Sequence, residues 1–234
     1  MIQKEAKYKA LYFDVETASG EKSLEVLIEK NPRLADLWSK RSDFYRGAYS
    51  EMKDMSDSEI YEIKSPLEAE FCRVVCVSFG TFDADDEMRK TSFYGEDEAD
   101  ILSKSNKVFF NAEAKGWKIC GHNIKNFDIP CLGKRMIYNS ILPARNLQMW
   151  DKKPWEAPIV DTSEVFSFGN WMQQKYLGLD LLACSMGIKS PKDGIKGSEV
   201  SSFFWDSGDV EGIKEYCERD VETVMEIISK LSSL

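Results

Sequence analysis

Residues 8–17 read Tyr8-Lys9-Ala10-Leu11-Tyr12-Phe13-Asp14-Val15-Glu16-Thr17 and run into Ala18-Ser19-Gly20. The stretch is short, aromatic and aliphatic, and closes on turn residues, which predicts a buried strand with two carboxylates at its C-terminal end. Residues i and i+2 of a strand share a face, so Asp14 and Glu16 would stand side by side. Two carboxylates in an apolar, low-dielectric setting repel one another. A hard cation between them relieves the repulsion, and Mg2+ or Mn2+ takes oxygen ligands of this kind. The tripeptide alone is common, and a solvated strand end reads the same way.

Outward from this strand, residues 21–71 are polar and helix-prone, with Trp38, Phe44, Tyr45 and Tyr61 spread among them and no strand-like alternation. They read as an insertion of two or three helices, at about 18–70 in a single domain spanning 1–234. Residues 73–82 predict a second strand, and 90–94 its antiparallel neighbour across the acidic turn Asp83-Ala84-Asp85-Asp86. A helix is expected over 97–112, a strand over 117–122, a helix over 127–139, a short strand over 158–162 and a helix over 177–186. The last helix covers 209–231, with apolar residues at Val210, Ile213, Val221, Val224 and Leu231. Strands alternating with helices imply an α/β sheet with crossover connections, whose ligand site lies beyond the C-terminal ends of its parallel strands.

Two further segments place carboxylates where such a site would be. Asp128 follows Cys120-Gly121-His122-Asn123-Ile124-Lys125-Asn126-Phe127 and opens the 127–139 helix. An Asp in a first helical turn is also explained by the helix dipole, worth about 0.3–1 kcal/mol. Tyr216 and Asp220 are i and i+4 on the last helix and share its face with Ile213 and Val224. A carboxylate on an apolar stripe is costly unless paired or bound to a metal. Surface exposure accounts for Glu218, Arg219 and Glu222 but not for Asp220.

Composition narrows the function classes. With 31 basic against 40 acidic residues the net charge is −9, which argues against a protein coating nucleic acid through a broad basic surface. An enzyme whose bound cations do the local neutralising remains compatible with that charge. No run approaches the roughly 18 apolar residues of a membrane span. The lysine-bearing start lacks a secretory core. The six cysteines form no CxxC pair and mostly sit in apolar runs. These features read as free buried thiols in a cytoplasmic protein that does not engage membranes. A single histidine argues against a zinc site of the usual kind.

Taken together, Phe13-Asp14-Val15-Glu16-Thr17, Asn123-x-x-x-Phe127-Asp128 and Tyr216-x-x-x-Asp220 resemble, in order and context, the three exonuclease motifs of the DEDD superfamily in its tyrosine branch. Further segments extend the likeness: residues 73–78, 120–123, Lys153-Pro154-Trp155-Glu156, Asp161-Thr162 and Ser190-Pro191-Lys192-Asp193. They resemble the family of predicted 3′→5′ exonucleases related to the proofreading domain of family B DNA polymerases. Gly194 and Lys196 stand where that family would carry more acidic residues. The resemblance implies a ribonuclease H-like fold, a mixed five-stranded sheet flanked by helices. It implies two divalent cations, Mg2+ or Mn2+, held by Asp14, Glu16, Asp128 and Asp220. Asp14 would bridge both, Glu16 and Asp220 would serve the one carrying the attacking water, and Asp128 the other. Tyr216 would orient that water. The implied reaction shortens single-stranded DNA from its 3′ end to 5′-mononucleotides.

For substrate contacts the expectation falls on Thr17, Asn123, Phe127 and Lys192, with Lys125, Lys134, Arg135, Lys152, Lys153, Lys189 and Lys196 as further cations. His122 could hydrogen-bond near the site or brace the end of its strand. Within the same fold the alternative is an exoribonuclease, because RNA preference depends on 2′-hydroxyl contacts that a sequence does not reveal. From another class the alternative is a non-catalytic nucleic-acid-binding module, which the completeness of the four carboxylates disfavours. A 234-residue chain leaves no room for a polymerase, which implies work freestanding or with a replication or repair protein in trans.

Overall fold

The structure is a computed structural model that describes residues 4–150, 152–153, 156–169, 177–190 and 195–233. Five strands form one mixed sheet: β1 (Ala10–Ser19), β2 (Cys72–Phe82), β3 (Met88–Tyr94), β4 (Lys118–Gly121) and β5 (Ile159–Asp161). Their order across the sheet is β3-β2-β1-β4-β5. β2 pairs antiparallel with both β1 and β3, while β4 lies parallel to β1 and β5 parallel to β4. Each sequence-predicted strand is present, with β1 shifted two residues later because 4–9 wind into a 3-10 turn ahead of it.

Alternation along β1 sorts its side chains between two layers. Leu11, Phe13 and Val15 enter one core with α4 (Glu98–Ala114) and α5 (Asp128–Tyr138), where Phe13 meets Phe109 edge-on at 5.1 Å. Ala10, Tyr12 and Ala18 face the other side, against α9 (Val210–Ser232) and the segment before it. Asp14 and Glu16 belong to that second row and interrupt an otherwise apolar surface. Their cross-strand partners on β2 are small, Ser78 opposite Asp14 and Cys76 opposite Glu16, which leaves room for the carboxylates. A bulge follows directly after Glu16, and bulges re-aim side chains where they occur.

Between β1 and β2 lie α1 (Leu24–Lys30), α2 (Pro32–Ala48) and α3 (Asp57–Lys64). They close on a core of their own around Trp38, which packs edge-on against Tyr61 and Phe71 and donates its indole N–H to the Asp57 carbonyl at 3.0 Å. Caps mark the starts: Ser23 for α1, Asn31 for α2, and a reciprocal Ser56–Glu59 capping box for α3. After β5 come α6 (Thr162–Ser167) and α7 (Leu179–Ser185). A single turn, α8 (Val200–Ser202), runs through an irregular stretch into Asp209, which caps α9. Sequence reading gave neither α6 nor the turns of 197–207. Both are shorter than the window over which helical periodicity shows.

The ends of β1, β4 and β5 point the same way, so the loops after them converge. β4 stops at Gly121, where a Cβ would meet Ile124 Cγ2 at 2.3 Å and the Phe13 carbonyl at 2.9 Å. The backbone carbonyl cannot move aside without disturbing the central strand. Gly121→Ala is therefore expected to cost about 1–3 kcal/mol by overpacking, read as a lowered midpoint in chemical denaturation. An unchanged midpoint would show that the loop yields freely.

Candidate active site

The Asp14 and Glu16 pair, expected at the end of its strand, lies mid-way along β1 just past the stretch paired with β4, and forms one wall of a cleft of about 450 Å³. α9, packed on the same face of the sheet, supplies Tyr216 and Asp220, and the first turn of α5 supplies Asp128. His122, Asn123, Phe127, Leu67 and Leu179 complete the lining. Thus the residues read from three separate stretches of sequence meet at one place. Thr17 is near but turned away: it is buried and its hydroxyl donates to the Pro66 carbonyl at 2.7 Å. That bond holds the turn Ser65–Leu67 against β1 and sets Leu67, 56% exposed, at the cleft edge. Lys192 lies outside the described residues, as do Pro154 and Trp155.

Electrostatics distinguishes this cluster from a solvated surface. Burial, then the charges of Asp220 and Asp128, push the Asp14 carboxyl well above the usual carboxylate range. Glu16 is raised in the same way by burial and by Asp14 and Asp220. Asp128, 4% exposed, is pushed up to about 8, chiefly by burial, against the opposing effect of backbone amides that point at it from Asp128 itself and from Val15. The Val15 amide lies beyond the last β1–β4 pair, Tyr12 with Cys120. Burial and the carboxylates around it, Glu16 and Asp220 first, raise the Tyr216 phenol, which stays protonated and hydrogen-bonds Asp220. Cys217 donates its S–H to both the carbonyl and Oδ2 of Asp14, each at 3.4 Å.

This donor set fits divalent cations. One oxygen each from Asp14 and Glu16 and the sulfur of Cys217 lie within 4.8 Å of one another. Four carboxyl groups converge on one cleft with no lysine or arginine among the described residues that line it. Like charges so crowded lose protons only at a cost, which a bound cation removes. Hard, oxygen-rich coordination is what Mg2+ and Mn2+ require.

A carboxylate that the sequence placed in a family-like segment, without a role, builds the loop between β4 and α5. Asp161, 1% exposed at the end of β5, accepts N–H bonds from Asn123 at 2.8 Å and Ser163 at 3.0 Å through Oδ1, and from Lys125 at 3.0 Å through Oδ2. Asn123 is thereby held in the left-handed region, φ 59°, with its side-chain oxygen accepting from Asn126 at 2.8 Å. His122 bridges the same loop to the start of α7, with Nε2 2.6 Å from the Leu177 carbonyl and Nδ1 2.8 Å from the Thr162 hydroxyl. The signal for Asp161 was a helix-capping Asp after a β-strand, visible only once α6 is known to begin there.

Several of the expected cations are engaged elsewhere. Lys125 pairs with Glu164, Lys134 with Glu70 at 2.8 Å, and Arg135 with the buried Glu98 at 2.8 Å. Lys152 donates to the Arg145 carbonyl at 2.5 Å. Five of the cysteines are buried, as expected, and Cys184 is exposed. Among the described residues no helix is long and apolar enough to cross a membrane.

Strand order, the position of the cleft and its acidic lining define an α/β domain of the ribonuclease H-like exonuclease fold. The chain belongs to the family of predicted 3′-5′ exonucleases related to the exonuclease domain of PolB, whose model matches residues 65–226. Among solved structures it is similar to the family B DNA polymerase from the hyperthermophilic archaeon Pyrobaculum calidifontis. That likeness has a TM-score of 0.54 at 15% identity over 95% of this chain and 24% of the other. It is also similar to E. coli Exonuclease I in complex with a dT13 oligonucleotide, with a TM-score of 0.50 at 11% identity over 96% of this chain and 41% of the other. The chain thus spans less than half the length of either structure. No curated protein sequence matches it.

The raised carboxyls make stability depend on pH in a defined direction. A group whose pKa is higher in the folded than in the unfolded chain binds more protons when folded, so stability falls as pH rises from the unfolded value through the folded one. For Asp128 that window runs from the ordinary range near 4 to about 8, and Asp14 and Glu16 act in the same sense. In EDTA the melting temperature is expected to drop by at least about 4 °C between pH 5 and pH 9, and Mg2+ or Mn2+ at pH 8 should restore it. A flat profile in EDTA would mean that the carboxyls are not crowded as described.

Proposed function

We propose that this protein is a metal-dependent 3′→5′ exonuclease that trims single-stranded DNA ends to 5′-mononucleotides. The observation that carries the reading is the meeting of Asp14, Glu16, Asp128 and Asp220, with Tyr216, in one cleft of a chain that belongs to an exonuclease family. A neighbouring fold was solved with a dT13 oligonucleotide, which favours single-stranded DNA as the substrate to try first. Localisation in the cytoplasm, a single domain with a helical insertion at 18–70 and a protein partner in trans belong to the same proposal.

Asp14, Glu16, Asp128 and Asp220 would hold two divalent cations. When bound, the cations supply charge neutralisation, a lowered pKa for the attacking water and stabilisation of the attacking and leaving oxygens. The protein's own part is positional. The Tyr216 hydroxyl, kept protonated, would orient the nucleophilic water from the α9 side. Phe127, half-buried at the start of α5, and Leu67 offer apolar faces to the terminal bases. Asn123, fixed by Asp161, presents its amide to the sugar-phosphate of the last nucleotide. Lys192 would add a backbone contact.

The test uses 5′-labelled and 3′-labelled single-stranded DNA with Mg2+, Mn2+ or EDTA. A ladder shortening from the 3′ end is expected with either metal and none with EDTA. Asp14→Ala should lower the rate at least about a thousandfold, since several kcal/mol of transition-state stabilisation are lost. Tyr216→Phe should lower it about a hundredfold through misplacement of the water. Intact DNA under both metals would sink the proposal. Faster cleavage of RNA in a parallel reaction would replace its substrate.

A further inference from the structure

The proposed reaction gives no part to the thiol that touches its central carboxylate. Cys217 follows Tyr216 on α9 and turns into the sheet, buried and uncharged, where its sulfur lies 3.4 Å from Oδ2 of Asp14. Sulfur and oxygen bound to one tetrahedral zinc, at about 2.3 and 2.0–2.2 Å from it, are separated by about 3.6 Å. The existing Asp14–Cys217 separation therefore already matches that of two ligands sharing one ion. Glu16 completes a set whose donor atoms lie within 4.8 Å of one another. Magnesium and manganese favour oxygen and leave such a sulfur aside, whereas thiolate selects softer ions.

We propose that Asp14, Glu16 and Cys217 form a mixed oxygen–sulfur site for a thiophilic divalent cation, Zn2+ or Cd2+, which displaces the hard cations and holds the enzyme inactive. On binding, the S–H bond of Cys217 breaks, the sulfur's electron pair passes to the cation, and the proton leaves to solvent. No oxidant or reductant takes part. The sulfur draws the ion toward α9 and commits Asp14 Oδ2 to it, so that Asp14 no longer serves both cations. The inhibitory half of this inference rests on the nuclease reading above, whereas the binding half stands on the geometry alone.

The experiment titrates Cd2+ into protein carrying Cys184→Ser, which removes the one exposed thiol, and follows the ultraviolet thiolate-to-cadmium charge-transfer band. One equivalent of band is expected, competed away by Zn2+ and not by a comparable concentration of Mg2+. Cys217→Ser and Cys217→Ala should abolish it and weaken Zn2+ binding by at least about tenfold. Cadmium-113 NMR of the protein with Cys217 intact reports sulfur ligation directly, so a variant that fails to fold does not blunt the test. A missing band, an oxygen-only cadmium shift, or a band unchanged in folded Cys217→Ser would each overturn the inference. DNA cleavage without the band would leave the nuclease reading standing and remove this one. A Cys217-dependent band without cleavage would do the reverse for its binding half.

Discussion

The fold turns on an electrostatic conflict. On the face of β1 that meets α9, a row running Ala10, Tyr12, Asp14, Glu16, Ala18 places two carboxylates where packing alone would ask for apolar side chains. Asp220 arrives on the facing helix and Asp128 at the neighbouring helix start, so four like charges crowd a single cleft. Isolated charges in such a setting take up protons, and Asp14, Glu16 and Asp128 all shift in that direction. Structural elements around the cleft are arranged to hold the charges there: small residues opposite them on β2, a bulge after Glu16, and Asp161 fixing the loop that leads to Asp128.

Much of this was legible in the sequence, for identifiable reasons. The buried strand announced itself by composition, and its period of two put Asp14 and Glu16 on one face before any fold was known. The amphipathic period of α9 put Tyr216 and Asp220 on its buried stripe. These are local regularities, carried by the chain over ten or more residues. Cys217 escaped because its partner, Asp14, is 203 residues away. Leu67 escaped because its place depends on a Thr17 hydroxyl reaching Pro66. Asp161 stood in a strand and in a family-like segment without a role, and only the tertiary fold shows that three backbone amides depend on it.

Net acidity, awkward for a nucleic-acid enzyme, is compatible with the way the cations are distributed. Lys125, Lys134 and Arg135 are each tied to an acidic neighbour and brace the frame around α5. Attraction for a phosphate backbone would then come mainly from metal ions gathered by the acidic cleft rather than from a basic surface. Under the proposed function, affinity for DNA would depend on the divalent cation more steeply than on the protein's own charge.

The central claim is that the cleft is a cation site built by its carboxylates. Isothermal titration of the protein with Mn2+ at pH 8 tests it most directly. The account predicts two bound ions per chain, proton release on binding that shows as a heat varying with buffer, and loss of both features in Asp14→Asn. Absence of saturable binding in the folded protein, or the same two ions bound by Asp14→Asn, would contradict it.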